Sequence, residues 1–264
     1  WGVDLGGTKI EAVIMDAEDY TIIRRERMAT EAANGYHHVL DNIQRLIGKM
    51  SAESGIACER LGIGTPGSIN PHTQKLRNCN SVYLNGQSFR NDLEKKMAIP
   101  VRMTNDANCF AVSEYHLGII KTKYPLAKNV FAVIMGTGVG AGLVIDGKII
   151  EGKNSIGGEW GHNFLDESGG KCYCGKTGCV ETIISGPALE SYYKRLSAKP
   201  LKLHDIVLNY RDGNDPHAAA TMERLFHFFP LAISAVINIV DPDVVVIGGG
   251  LGNIDELYTN GLAL

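Results

Sequence analysis

The chain has 264 residues, 44% of them apolar, and a net charge of -3. That length buries one large core or two ordinary ones, and two are expected. The mildly acidic balance gives no electrostatic reason for nucleic acid or an anionic membrane as partner, and the longest apolar runs are strand-length, so no membrane-spanning segment is expected.

The opening GVDLGGTKIEAVIMD reads as a strand, a tight turn at Gly6-Gly7 and a second strand from Ile10 to Met15. Its tip offers backbone N–H groups, the Thr8 hydroxyl, the Lys9 ammonium and the Asp4 carboxylate, the parts that hold a phosphate and, through water, its magnesium ion. A plain hairpin turn fits the same residues equally well. No Walker A spacing is present. No signal-peptide pattern precedes this strand, and six cysteines, three of them clustered, suit a reducing compartment, so a cytoplasmic protein is expected.

From Asn34 to about Ser51, Tyr36, Val39, Leu40, Ile43, Leu46 and Ile47 recur at helical spacing, with Asn34 as N-cap. His37 and His38 point about 100° apart on such a helix and cannot share an ion, so they are read as surface residues. A strand then ends in GIGTPGSIN, where Thr65 to Ser68 form either a loop turn or a ligand wall. After Pro100 a short strand runs into TNDANCFAVSEYHLG, a helix capped by Asn105 or Asp106 and ended by Gly118. Capping alone accounts for Asp106. A carboxylate at a helix N-terminus is also held ionised by the dipole, which suits a group that accepts a hydrogen bond from a substrate hydroxyl.

The polar stretch from Lys121 to Asn129 is the expected hinge, giving an α/β domain over residues 1–120 and a second over 121–264. NVFAVIMGTGVGAGLVIDGKII reads as strand, glycine loop and strand. No helix follows the loop, so a dinucleotide fingerprint fails, and a second phosphate-cradling hairpin at Gly136, Thr137, Gly138 and Gly140 replaces it.

The segment GGEWGHNFLDESGGKCYCGKTGCVE places His162, Cys172, Cys174 and Cys179 within eighteen residues. Zinc prefers such a tetrahedral thiolate and imidazole set. A glycine-rich run also needs some tie to stay ordered. The alternative is three reduced core cysteines and a surface histidine. Helices are expected from Pro187 to Lys194 and from about His217, the latter kinked or interrupted at Pro230 and stopped by Asp241-Pro242. DVVVIGGGLGN closes the pattern with an apolar strand and a glycine loop, a place where ligands bind in parallel sheets.

Together DLGGTK (Asp4 to Lys9), TPG (Thr65 to Gly67), NDANC (Asn105 to Cys109), GTGVGAG (Gly136 to Gly142), GGEWGHN (Gly157 to Asn163), CYCGKTGCVET (Cys172 to Thr182) and DPDVVVIGGGLGN (Asp241 to Asn253) resemble the ROK family of sugar kinases and repressors, in that order along nearly the whole chain. The resemblance implies the two-domain α/β fold of actin, Hsp70 and hexokinase (ribonuclease H-like), with a cleft between domains and a structural zinc knot. It implies Asp106 as catalytic base; Gly67, Asn105, Glu159, His162 and Glu181 at the sugar; and Gly6, Gly7, Thr8, Lys9, Gly136, Thr137 and Gly138 at the ATP phosphates. Asp4 would serve the hydrated magnesium and Gly248, Gly249 and Gly250 the adenosine, while His162, Cys172, Cys174 and Cys179 would hold the zinc. The wording of Gly67 to Phe89 looks most like the fructokinase and mannofructokinase branch, so phosphorylation of the fructose 6-hydroxyl is expected, with N-acetylglucosamine or glucose as the rival substrate. A homodimer is implied. A sugar-sensing repressor is disfavoured, because only three residues precede Asp4 where repressors of the family carry a helix-turn-helix. The family also continues past the adenosine loop with a helix that packs back on the first domain, so a missing C-terminal segment is expected.

Overall fold

Alternating burial gives the first strands one covered face. In β1 (Gly2–Leu5) and β2 (Lys9–Met15), residues Val3, Leu5, Ile10, Ala12 and Ile14 are buried, the period of two that a one-sided sheet requires. The structure, a computed structural model, describes residues 1–261. β3 (Ile22–Ala29) pairs with β2 and leaves a charged edge, where Arg24, Arg25 and Arg27 meet Glu26 and Glu11. Such charges deter further strand addition. α1 (Tyr36–Ser54) buries Val39, Leu40, Ile43, Leu46, Ile47 and Met50 and ends at Gly55, whose left-handed φ of 72° lets its N–H reach the Ser51 carbonyl at 2.9 Å. Its N-cap is Gly35, not Asn34, because a short 3-10 turn over Ala32–Asn34 occupies the expected start.

β4 (Leu61–Thr65) lies parallel to β1, and a small hairpin of β5 (Ser68–Ile69) and β6 (Leu76–Arg77) follows. α2 (Phe89–Met97) leads to β7 (Val101–Asn105), parallel to β4, and the sheet order is β3-β2-β1-β4-β7. α3 (Asp106–His116) begins directly at the end of β7.

The chain divides into two compact units, one of Trp1–Cys109 with Glu151–Ile156, the other of Phe110–Ile150 with Gly157–Leu264. The division falls inside α3 rather than at the polar stretch from Lys121, part of which is itself helical as α4 (Ile119–Lys123). Ile120 of that helix is buried, which draws the segment into the second unit's packing.

In the second unit β8 (Asn129–Met135), β9 (Val139–Ile145) and β10 (Lys148–Ile149) form a meander. Asp146 and Gly147, at φ 47° and 76°, make the turn that joins the last two strands. After the cysteine segment come α5 (Glu181–Ile184), α6 (Gly186–Ser197), α7 (Leu203–Asp212) and α8 (Pro216–Val240). The sequence reading missed α7. Helix α8 is one uninterrupted helix through Pro230, capped by the Asp215 carboxylate on the His217 and Ala218 amides. The buried stripe Met222, Leu225, Phe229 and Ile233 outweighs the one rung that proline forfeits, at roughly 1.5–3 kcal/mol per large side chain buried. By length and composition α8 would span a bilayer, yet this stripe packs in the second unit's core. β11 (Val244–Gly248) lies parallel to β8, and α9 (Glu256–Thr259) follows the last glycine loop.

Candidate active site

Parallel pairing brings the first unit's functional residues to one edge of its sheet. Asp4 on β1 is in register with Gly64 on β4, and Gly64 with Thr104 on β7, so Asp4 stands two strands, about 10 Å, from the start of α3. Asn105 is the working cap of that helix: its Oδ1 accepts the Asn108 N–H at 2.7 Å. Asp106 is thus released from the principal capping role. Its Oδ1 accepts the Ala107 N–H at 2.8 Å. The residue keeps solvent-accessible surface, yet its carboxyl is pushed above the usual carboxylate range, first by the protein mass that displaces water around it and then by the negative charge of Asp4. An accessible carboxylate whose water is mostly replaced by protein is what a substrate-facing base needs. Asp4 is raised likewise, by burial first and then by Glu11, with Arg27 and Lys9 opposing. Negative charge that burial and Glu11 disfavour at Asp4, and that burial and Asp4 disfavour at Asp106, is what a divalent cation would relieve, so the residues fit the expected magnesium.

The tip from Gly6 to Lys9 is tightened by Gly6 N–H on the Lys9 carbonyl at 2.9 Å, and Thr30 anchors it through its hydroxyl on the Gly6 carbonyl at 2.8 Å. Gly7, Thr8 and Lys9 are exposed. Gly67 has a structural reason to be glycine: at φ 76° a Cβ would lie 2.7 Å from the Cys79 sulfur. Cys79 and Cys109, which sequence reasoning left aside, lie within reach of the Asp106 charge. Burial, then the Asp106 charge, pushes their thiols to about 12 and about 11.

The second unit carries a tip of the same design. Gly136 N–H bonds the Gly138 carbonyl at 2.9 Å, as Gly6 bonds Lys9. The first glycine amide of each tip is therefore committed inside the turn rather than offered to a phosphate. β8 and β11 run parallel with Ile134 opposite Gly248, so this tip and the loop Gly248 to Gly250 emerge side by side. Gly249, at φ 79°, packs on the Met135 backbone, where any Cβ would clash.

The expected metal ligands converge. His162, Cys172, Cys174 and Cys179 place one ligand atom each within 4.8 Å of one another. Cys172 Sγ lies 3.6 Å from His162 Nδ1 and Cys174 Sγ lies 3.6 Å from Cys179 Sγ. A tetrahedral zinc with ordinary Zn–S and Zn–N bonds has ligand edges of about 3.6–3.8 Å. The donor set and its spacing fit that ion, and all six cysteines of the chain are free thiols. Nδ1 faces the sulfurs, which turns Nε2 outward, 3.0 Å from the Tyr173 hydroxyl and 4.0 Å from Glu159. Tyr173 is a contact that sequence reasoning missed; its place between two ligand cysteines was the available signal. The residue is 61% exposed, and its phenol is raised by burial, then by Glu181, Cys172 and Glu159. Of the carboxylates expected at the sugar, Glu159 lies beside His162, and the charges of both Glu159 and Glu181 act on the Tyr173 phenol. Glu181 does more than expected: its Oε2 accepts the Val139 N–H at 2.9 Å.

Paired glycine tips, an aspartate at a helix start and a Cys3His knot beside two carboxylates, on two α/β units, define the α/β sugar-kinase fold. A profile of the ROK family matches residues 1–263, and the chain belongs to that family. N-acetyl-D-glucosamine kinase of Pectobacterium carotovorum is 34% identical over 98% of this chain and 86% of its own length. The same-named kinase of Shigella flexneri serotype 5b is 36% identical over the same shares. Among solved structures, the ROK hexokinase of Thermus thermophilus superposes with a TM-score of 0.85 at 29% identity, covering 99% of this chain and 85% of that one. The ROK glucokinase of Streptomyces griseus, solved with glucose and AMPPNP, gives 0.78 at 27% identity, covering 99% and 86%. These curated relatives are N-acetyl-D-glucosamine kinases, so they support the rival substrate and not the fructose suggested by the wording of Gly67 to Phe89.

Proposed function

We propose that the chain is an ATP-dependent kinase of N-acetyl-D-glucosamine that phosphorylates the sugar's 6-hydroxyl. The observation that carries the chemistry is Asp106, an accessible carboxylate at a helix start two strands from Asp4. The named kinases at 34% and 36% identity support the substrate.

In this reading Asp106 accepts the hydrogen bond of the 6-hydroxyl and takes its proton late. The transition state of phosphoryl transfer is loose, so aim matters more than base strength. Asn105, Glu159, His162 and Glu181 hold the remaining hydroxyls, with Gly67 at the wall. At the phosphates, Gly7, Thr8, Lys9, Thr137 and Gly138 supply donors, while Gly6 and Gly136 shape the tips. Gly248, Gly249 and Gly250 take the adenosine. A magnesium ion served by Asp4 would neutralise phosphate charge. His162, Cys172, Cys174 and Cys179 would hold a structural zinc, which would fix the imidazole with Nε2 toward the sugar. Reduced thiols and ATP use favour the cytoplasm. A homodimer, implied by the family resemblance, is checked by light scattering.

ADP release measured over N-acetylglucosamine, glucose, mannose, fructose and N-acetylmannosamine tests the proposal. N-acetylglucosamine is expected to give the highest kcat/KM. A preference for fructose would return the substrate to the other branch, and no turnover on any of them would end the kinase reading.

A further inference from the structure

Segment 158–186 grips the hairpin of β8 and β9 at three points. Glu181 Oε2 accepts the Val139 N–H at 2.9 Å. Gly161, next to the metal ligand His162, lies so close to the Val139 carbonyl that any Cβ there would overlap it. Gly186 N–H bonds the Gly136 carbonyl at 2.9 Å. The peptide groups on either side of the tip Gly136-Thr137-Gly138 are therefore held by residues of the metal segment and the helices after it.

Glu181 is well placed to set that tip. It follows Cys179 by two residues, and both Cys179 and Val180 are fully or nearly fully buried, at 0% and 1% exposure. The Val180 N–H is fixed on the Asn163 carbonyl at 2.9 Å. A Cβ at Gly138 would lie 2.6 Å from the same Glu181 oxygen, so glycine at 138 is what admits the carboxylate. A hydrogen bond from an amide to a charged acceptor is among the stronger kinds.

We propose that Glu181 is a positioning residue for the nucleotide: one of its oxygens holds the Val139 amide and sets the phosphate-binding tip, while the other meets the sugar. The second half rests on the proposed kinase reading; the first rests on the hairpin geometry alone. A sugar hydroxyl that donates to Glu181 then pulls on the group that orients the tip, and the nucleotide and sugar affinities become linked and reciprocal.

The test is MgADP binding by calorimetry without sugar, on the full chain. Glu181→Ala is expected to weaken it roughly tenfold, the loss of one hydrogen bond to a charged group. Glu181→Gln keeps an oxygen that accepts from Val139 and is expected to stay within about threefold. Metal content and the melting midpoint are measured alongside. Should Glu181→Ala lose its metal or fail to fold, Glu181→Asp, whose shorter side chain draws the oxygen away from the Val139 amide, takes its place with the same direction of loss expected. Unchanged MgADP affinity in the folded alanine variant overturns the proposal, because a purely sugar-binding role leaves that affinity alone. Sugar KM separates the two halves. A rise in both Glu181 variants supports the sugar contact, whereas no rise removes that contact and leaves the hairpin tie standing.

Discussion

Asp106 shows how one position can satisfy two demands with neighbouring residues. Asn105 takes the capping bond, so Asp106 stays at the positive end of the helix without being consumed by it. Asp106→Asn is expected to retain sugar binding while kcat falls by about 100-fold or more, the ordinary share of a positioned base. Turnover near that of the parent chain would exclude the role. The sign of the pH effect follows from the raised carboxyl. The base works ionised, so kcat/KM falls as acid protonates it, and the acidic limb is expected above the ordinary aspartate value of about 3.9. A limb at or below that value would contradict the assignment.

Among the elements, the cysteine segment joins the candidate metal ligands to the β8–β9 hairpin. It carries His162, Glu159 and Glu181 and grips the β8–β9 hairpin, and its four candidate ligand atoms lie within 4.8 Å of one another. Under the proposed zinc assignment, chelation is expected to remove sugar binding and lower the melting midpoint together, with one zinc per chain restored on readdition. Sugar binding that survives complete metal loss would make the cluster a bystander. The glycines of this segment are functional through shape. Gly161→Ala forces a methyl into the Val139 carbonyl and is expected to destabilise by about 1–3 kcal/mol, read by denaturant unfolding.

At the scale of the whole molecule, the two larger of the three buried clusters among the described residues share no residue, one around Ile43, Leu61 and Leu93, the other around Leu225, Phe229 and Ile233. Ile43→Ala and Leu225→Ala are each expected to cost about 2–5 kcal/mol. The double variant should show their sum, because neither side chain shares a packing partner with the other. A coupling well beyond about 0.5 kcal/mol would mean that the two cores are not independent.

Local chemistry by itself determined the strands that carry the glycine tips, helices α1 and α3, the four candidate ligand residues and the family order of the motifs. Each of these depends on spacing along the chain: period two, period 3.6, or turns that only glycine makes easily. Helix α7 escaped because its buried residues are only Ile206 and Val207, too few to mark a period. The path of α8 through Pro230 was decided by long-range packing against the core, which outweighs a local breaker. The commitment of Glu181 to Val139, the outward turn of His162 Nε2 beside Tyr173 and the placing of Cys79 and Cys109 within reach of the Asp106 charge were likewise settled only in three dimensions. Their partners are 42 and 11 residues apart for the first two pairs, and no local rule fixes which side chains meet across such separations. Choice of sugar belongs to the same class, since it is set by groups that converge from distant parts of the chain.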